Sequence, residues 1–222
     1  MERNVRMEEI SDGKLYGNND MVKADTGNCQ GCFACCKGMG NSIILDPLDI
    51  YQLTANLHKS TEELLSSYIE LNVVDGIVLP NLKMAGQEEA CSFLNQEGRC
   101  SIHKFRPGIC RLFPLGRFYE NNTFQYFLQI HECKKQNLTK VKVKKWIDVS
   151  NIKEYENFIN QWHYFQKDLQ KLMKESPEDE LMKKISMYVL QQFYLKTYES
   201  DRAFYEQFAE RLQEAKQAMG IS

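Results

Sequence analysis

The sequence lacks three features, each of which would point to a particular class of protein. No stretch of its 222 residues approaches the roughly 18 consecutive apolar residues that a membrane-spanning helix needs. Residues 1–12 contain no apolar segment of the kind that a signal peptide carries. The formal net charge of -2 gives no electrostatic reason to expect nucleic acid or acidic lipid as a partner. We therefore expect a cytoplasmic protein that binds neither membranes nor nucleic acid.

Cysteine and proline are scarce in the last third of the chain. After about Asn151 there is no cysteine, Pro177 is the only proline, and apolar residues recur at helical spacing. We predict an α+β protein with a division near residue 148. Residues 1–148 would form a small cysteine-cluster metal-binding domain with short hairpins and helices, and residues 149–222 a helical segment that packs on it.

Cysteine is abundant in the first two-thirds of the chain, where four thiols form the run C-x-x-C-x-x-C-C. In a reducing compartment such cysteines are ligands rather than disulfides. Burial as small hydrophobic residues would not by itself produce this spacing. Thiolates are soft anionic ligands that suit zinc and iron–sulfur clusters. The predicted ligands of one shared metal centre are Cys29, Cys32, Cys35, Cys36, Cys91, Cys100, Cys110 and Cys133.

Cys35 and Cys36 are adjacent, and neighbouring side chains point apart in both a helix and a strand. We therefore expect these two thiols to serve two metals, or two corners of a polynuclear centre. A helical projection favours Cys36 as the companion of Cys29 and Cys32, and a loop conformation stays open as an alternative. The spacing matches neither the bacterial ferredoxin run nor the paired motifs of a zinc ribbon, so zinc and iron–sulfur both remain open.

Capping and turn residues predict several local elements. The start of a helix is marked by an N-cap residue followed by proline, by a capping box or by acidic residues in the first turn. A hairpin is marked by a turn that contains Gly or Asn between two apolar runs. The predicted helix starts are Asp46–Pro47, Ser60–Glu63 with a helix to about Leu71, Ser176–Asp179, and Asp201 as the cap of a last helix that ends near Gly220. The predicted turns are Asp75–Gly76, Asn95–Gly98 and Asn121–Asn122. The turn at Asn95–Gly98 is expected to bring Cys91 and Cys100 together.

A second motif, C-S-I-H-K-F-R-P-G-I-C-R-L-F-P, occupies residues 100–114. Together with the first run it resembles the YkgJ-like CxxCxxCC cysteine-cluster family over residues 27–135. The family pattern carries a tyrosine where this chain has His103, so we expect an aromatic packing role there rather than a ligand. His131 lies near Cys133 and ranks below every cysteine as a ligand.

The resemblance implies a domain that chelates zinc or iron, and hence zinc or an iron–sulfur cluster as the cofactor. Two classes of function stay open. The first is a protein that binds a metal ion, either for its own sake or in order to interact with another protein. The second is an iron–sulfur enzyme of redox or protein-methylating type, because flagellin lysine N-methylases carry a similar cysteine cluster on longer chains. The chain shows neither a methyl-donor pocket motif nor the radical-SAM spacing C-x-x-x-C-x-x-C, and its catalytic residues stay unknown.

Arg106 and Arg111 flank Cys110 in the second motif. Near thiolates, guanidinium groups offset negative charge and donate hydrogen bonds to sulfur or to a carbonyl, which is the role we favour. The alternative is that they grip a carboxylate or phosphate of a substrate. The basic run over residues 134–145 predicts an exposed strand face or linker, and the aromatic residues of the C-terminal helices predict packing rather than a cofactor site.

Overall fold

The computed structural model describes residues 6–27, 29 and 32–221 of the chain, and it contains both helices and short antiparallel strands, so the protein is α+β as predicted. The helices are α1 Met7–Ile10, α2 Pro47–Leu57, α3 Thr61–Ser67, α4 Gly108–Leu112, α5 Val143–Ile147, α6 Ile152–Glu175, α7 Asp179–Leu190 and α8 Phe204–Met219. Single turns of 3-10 helix lie at Ala34–Cys36 and His103–Phe105, and a π-helical turn lies at Gln191–Leu195. The strands are β1 Met21–Asp25, β2 Ile69–Val74, β3 Ile77–Leu82, β4 Met84–Ala85, β5 Ala90–Cys91, β6 Leu115–Glu120, β7 Thr123–Leu128 and β8 Thr139–Lys142.

These strands pair two by two, and all four pairs among the described residues are antiparallel. Three pairs join consecutive strands (β2–β3, β4–β5 and β6–β7), whereas β1 pairs with the distant β8. Lys140 and Lys142 are exposed on β8, which confirms the predicted exposed strand face for residues 139–142, whereas Lys144 and Lys145 of the same basic run lie in α5. Within the same described ranges, none of the helices combines the length and the apolar composition that crossing a bilayer requires.

The chain forms two compact units that interleave in sequence. The cysteine unit contains the described residues up to Met39 and Met84–Asn160, and it holds all eight cysteines. The helical unit contains Gly40–Lys83 and the described residues from Gln161 onward. We predicted a boundary between two domains after residue 148. The two compact units do not show which segments fold independently, so this boundary stays a prediction.

In the helical unit, the predicted N-cap Asp46 and the predicted capping box at Ser60 are both present, and Asp46 also forms a capping box. The Asp46 side chain accepts from the backbone N–H of Asp49 at the start of α2, and Ser60 does the same for Glu63 at the start of α3. The prediction that the second helix reaches Leu71 is wrong, because α3 ends at Ser67 and Leu71 lies in β2. Cross-strand pairing with β3 across the Asp75–Gly76 turn outcompetes a further turn of helix, and this hairpin is confirmed.

An aromatic cluster fills the core of the helical unit. The Trp162 ring lies 4.9 Å from Phe193 and 6.2 Å from Phe208, measured between ring centroids. The hydroxyl of the buried Tyr194 donates to the carbonyl of Leu45 at 3.1 Å, so its polar end is satisfied. These residues pack the unit, as their helical spacing predicted.

The start of α8 differs from its prediction. The helix begins at Phe204 with Ala203 as N-cap, so Asp201 does not cap it. The side chain of Gln207 satisfies the preceding loop instead, since it accepts from the backbone N–H of Glu199 at 2.8 Å and donates to the Glu199 carbonyl at 2.9 Å. The predicted end is confirmed, because Gly220 closes the helix in the left-handed conformation.

In the cysteine unit, β6 and β7 form the hairpin predicted around Asn121–Asn122, and both asparagines have positive φ, as a tight two-residue turn requires. The N-terminal segment extends this hairpin through a backbone bridge between Tyr16 and Tyr126. Across the hairpin, Gly116 pairs with Phe127, and the Phe127 ring covers the glycine.

Substituting alanine at Gly116 is expected to destabilise the cysteine unit by about 1–3 kcal/mol, because the added Cβ would lie 2.3 Å from the Phe127 ring. Urea unfolding measures the loss. Gly17→Ala is the matched control, because its added Cβ would lie 3.5 Å from Asp20, which is an ordinary van der Waals distance. Neither glycine has positive φ, so neither variant strains the backbone. Equal stability of the two variants would contradict the observed ring position.

Candidate metal centre

The first two cysteines lie in a tight turn that follows β1. Cys29 has a φ of 55°, and its backbone N–H donates to Oγ1 of Thr26 at 3.0 Å. The same Oγ1 lies 3.2 Å from the Cys29 sulfur, and the N–H of Cys32 donates to the Cys29 carbonyl at 3.0 Å. Thr26 therefore holds both the backbone and the sulfur of Cys29 in place.

Cys35 and Cys36 lie in the 3-10 turn Ala34–Cys36, immediately before a connection to β5. Lys37 pairs with Ala90 in an isolated antiparallel bridge, and the N–H of Gly38 donates to the Glu89 carbonyl at 3.0 Å. Because Ala90 precedes Cys91, this pairing brings the end of the first cysteine run beside the fifth cysteine of the chain.

The predicted turn between Cys91 and Cys100 is confirmed. Backbone bonds close it, with the N–H of Asn95 donating to the Arg99 carbonyl at 2.9 Å and Leu94 bridging to Cys100. Two side chains join this turn to the first run. Nη1 of Arg99 donates to the Cys29 carbonyl at 3.2 Å, and the Phe33 ring lies against Gly98.

Thr26, Phe33 and Arg99 were missed by sequence reasoning. Thr26 could have been found, since a threonine three residues before a cysteine is placed to bond its backbone N–H. Arg99 and Phe33 act across the fold, and no local pattern reveals their partners.

The last two cysteines come from two further segments. Cys110 lies in the short helix α4, and Cys133 lies in the loop between β7 and β8. All eight cysteines are reduced, partly buried thiols. The donor atoms are therefore chemically available for a metal.

Electrostatic interactions connect thiols from different segments, and Cys35 has more partners among them than any other thiol. Burial raises the pKa of Cys91, Cys100 and Cys133, and the negative charge of Cys35 raises each of these further. The charges of Cys29 and Cys32 also raise the pKa of Cys133, and that of Cys110 raises the pKa of Cys36. Each thiol of the eight thus interacts with at least one other.

Cys35 and Cys36 interact with each other. A hydrogen bond with Cys36 lowers the pKa of Cys35 to about 7, and the same bond together with burial raises the pKa of Cys36. Both residues lie in a single 3-10 turn, which does not hold the two side chains on opposite sides as a regular helix or strand would. The expectation that they serve two metals, or two corners of one centre, stays a prediction.

Among the described residues, no three Cys, His, Asp or Glu side chains lie close enough together to hold a metal ion as they stand. The donor chemistry nevertheless fits zinc or iron, because thiolates are the ligands that both metals take in proteins. A cation bound among these thiols would also offset the burial and the mutual repulsion that raise their pKa values.

Arg106 supplies positive charge beside the thiols. It is half-buried and donates to the His103 carbonyl at 2.9 Å, and the two ring nitrogens of His103 lie 3.2 and 3.3 Å from the same Nη1. Burial and the charge of Arg111 lower the pKa of Arg106, whereas the charges of Cys29, Cys110 and Cys100 raise it. Arg106 is thus within electrostatic reach of cysteines from three segments.

Arg111 is buried, with 6% of its surface exposed, and it ties backbone segments together. Nη1 donates to the carbonyls of Ile147 at 3.2 Å and Asp148 at 2.9 Å, and Nη2 donates to that of Lys104 at 2.9 Å. Arg111 therefore joins the second cysteine motif to the end of α5.

Comparison with known proteins adds one finding. The family model CxxCxxCC, described as a proposed zinc- or iron-chelating domain, matches residues 28–142, which is just over half of the chain. The chain belongs to the CxxCxxCC family. Searches of curated proteins and of solved structures returned no match. Membership of the CxxCxxCC family supports metal binding by this chain and leaves the metal open.

In this CxxCxxCC protein, Gly98→Ala is expected to lose about 1–3 kcal/mol more stability than Gly86→Ala. Both glycines have positive φ (68° and 73°), so both variants carry the same backbone strain. An added Cβ at Gly98 would lie 2.8 Å from the Phe33 ring, whereas nothing lies within 4 Å of one at Gly86. Urea unfolding measures both losses.

A Phe33→Ala background provides the control for this comparison. Removing the ring should abolish the excess loss at Gly98 and leave Gly86→Ala unchanged. An excess that persists without the ring would show that Phe33 does not join the two cysteine segments at this point.

Proposed function

We propose that the protein binds zinc or iron through its eight cysteine thiolates, with Cys35 at the centre of the ligand set. The observation that supports this most is the position of Cys35, whose charge acts on Cys36, Cys91, Cys100 and Cys133. Backbone bridges and a side-chain bond hold together the segments of the first cysteine run, Cys91 and Cys100.

Within this proposal, the thiolates of Cys29, Cys32, Cys35, Cys36, Cys91, Cys100, Cys110 and Cys133 hold the metal. Four thiolates close a tetrahedral zinc site, so eight suffice for two such sites or for one polynuclear centre. Arg106 offsets part of the thiolate charge, and Arg111 keeps the second motif in position. We propose a cytoplasmic location, because thiols persist in a reducing compartment.

Anaerobic purification followed by metal and acid-labile sulfide analysis tests the proposal. We expect stoichiometric zinc in a colourless protein, or iron with sulfide in a brown one. A brown protein with a reversible one-electron transition would favour the redox or protein-methylating enzyme over a structural centre. Failure to retain zinc, iron or a cluster after reconstitution would overturn the proposal.

Single Cys→Ser variants test the arrangement of the ligands. Cys35→Ser should lose more metal than Cys133→Ser, because Cys35 interacts with the larger number of thiols. If two metals are bound, Cys35→Ser and Cys36→Ser should each deplete a different part of the metal load. Identical, complete loss in both would indicate one cooperative cluster, and full retention in Cys35→Ser would remove that thiol from the centre.

A further inference from the structure

A polar cavity of about 400 Å³ lies in the cysteine unit, where the N-terminal segment, β7 and the first turns of α6 meet. No cysteine is found among the described residues that line it. The cavity is therefore a feature separate from the proposed thiolate centre, and its lining suggests a ligand of its own.

Glu156 gives the cavity its charge, since no other described lining residue is ionic at neutral pH. Its carboxylate is held by two donors. Nδ2 of Asn18 donates to Oε2 at 2.8 Å, and the hydroxyl of Tyr126 donates to Oε1 at 3.0 Å. Each carboxylate oxygen can accept a second hydrogen bond, so a fixed acceptor remains available to a ligand.

Asn160 closes one side of the same lining. Its Nδ2 donates to the Asn122 carbonyl at 2.7 Å, which fixes the orientation of the amide. Its Oδ1 is buried away from the cavity, so Asn160 shapes the lining and the accessible acceptor of the cavity is the Glu156 carboxylate.

The aromatic lining and its surroundings favour a positive charge on the ligand. Tyr16, Phe124 and Tyr126 line the cavity, and cations are attracted to aromatic faces. Burial raises the pKa of Tyr16, and a hydrogen bond to Asp12 together with the charges of Asp12 and Asp20 raises it further. The field at this side of the cavity is therefore negative.

Arg117 is a cation that lies beside this lining. Its guanidinium lies 5.6 Å from the centre of the Phe124 ring and donates to the hydroxyl of Tyr155 at 2.8 Å. Its charge lowers the pKa of Tyr126, which burial and Glu156 raise. At Tyr126 the guanidinium thus opposes burial and the charge of Glu156, and the pKa of this tyrosine stays raised.

We propose that this cavity binds a small organic molecule through a protonated amine, with the Glu156 carboxylate as the acceptor. An ammonium group carries three N–H donors and no acceptor, which matches a lining that offers two carboxylate oxygens and an aromatic wall. A neutral alcohol of the same shape can donate one hydrogen bond to the carboxylate, but it lacks the charge–charge attraction to Glu156.

The test compares benzylamine with benzyl alcohol, which differ chiefly in that charge. Each is titrated into the full-length, metal-loaded protein and followed by NMR shifts of residues around the cavity. We expect saturable binding of benzylamine and binding of the alcohol that is weaker by about tenfold, the value of one charged hydrogen bond. Absence of saturable benzylamine binding, or equal binding of the alcohol, would overturn the proposal.

Glu156→Gln removes the charge and keeps the shape, and it should weaken benzylamine binding by about tenfold while leaving the alcohol unchanged. Glu154→Gln is the matched control, because Glu154 is exposed on the same helix and does not line the cavity. Circular dichroism confirms that each variant is folded. Unchanged benzylamine affinity in folded Glu156→Gln, or an equal loss in Glu154→Gln, would refute the assignment of Glu156.

Discussion

Removing the metal with a strong chelator is expected to unfold the cysteine unit while the helical unit keeps its structure. The binding energy of a thiolate site is largely folding energy, about 10–16 kcal/mol for structural zinc in small peptides. The segments that carry the cysteines have little regular structure of their own, since β4 and β5 contain two residues each and the turn Ala34–Cys36 three. The helical unit retains its buried aromatic cluster.

The two tryptophans of the chain allow each unit to be followed separately. Trp146 lies in the cysteine unit, where its Nε1 donates to the Leu112 carbonyl at 3.2 Å, and Trp162 lies in the aromatic core of the helical unit. Trp162→Phe and Trp146→Phe each leave one fluorescent reporter. On chelation, Trp146 emission should shift to the red and Trp162 emission should stay constant, and restoring the metal should reverse the change. A constant Trp146 signal after confirmed metal loss would contradict the expectation.

Replacing Arg111 with methionine should destabilise the cysteine unit by about 3–5 kcal/mol, even with metal in excess. The variant keeps the length of the side chain but leaves the carbonyls of Lys104, Ile147 and Asp148 without their donor. Arg111→Lys should recover a small part of the loss, because one ammonium cannot reproduce the planar fork that reaches two segments.

Arg211 offers a matched comparison in the helical unit. It is 5% exposed, and it donates to the carbonyls of Gln192 at 3.0 Å, Lys196 at 2.6 Å and Thr197 at 2.7 Å. In single-tryptophan proteins, Arg111→Met should lower the unfolding midpoint reported by Trp146, and Arg211→Met the one reported by Trp162. An unaltered Trp146 midpoint in Arg111→Met would show that these hydrogen bonds are not needed for the stability of the cysteine unit.

Elements that depend on local chemistry could be predicted from the sequence. Asp46 before Pro47 starts a helix, and Asn121–Asn122 turns a hairpin, because caps and tight turns depend on a few consecutive residues. Asp201 was a wrong prediction of the same kind, because α8 begins at Phe204 with Ala203 as N-cap. Capping rules give candidate positions, and the conformation of the preceding loop, here bonded by Gln207, decides where the helix begins.

Contacts between distant residues could not be predicted. Arg99 and Cys29 are 70 positions apart, and the bridge between Lys37 and Ala90 spans the whole of the first segment of the helical unit. The pattern of cysteines indicated a shared centre, but a pattern contains no information on which segments pair. The relation between Cys35 and Cys36 could not be worked out for a related reason, since ideal helix and strand geometries do not describe one 3-10 turn.

The pairing of β1 with β8 bears on how this protein can be shortened. The match to the CxxCxxCC family begins at residue 28, after β1, and ends at residue 142, with the last residue of β8. A recombinant fragment cut to those limits would keep Val141 and lose Val22, the residue opposite it. It would present β8 as an unprotected edge, which favours association between copies. Expression plasmids for the cysteine unit should therefore start upstream of Met21, so that the first strand is translated with its partner.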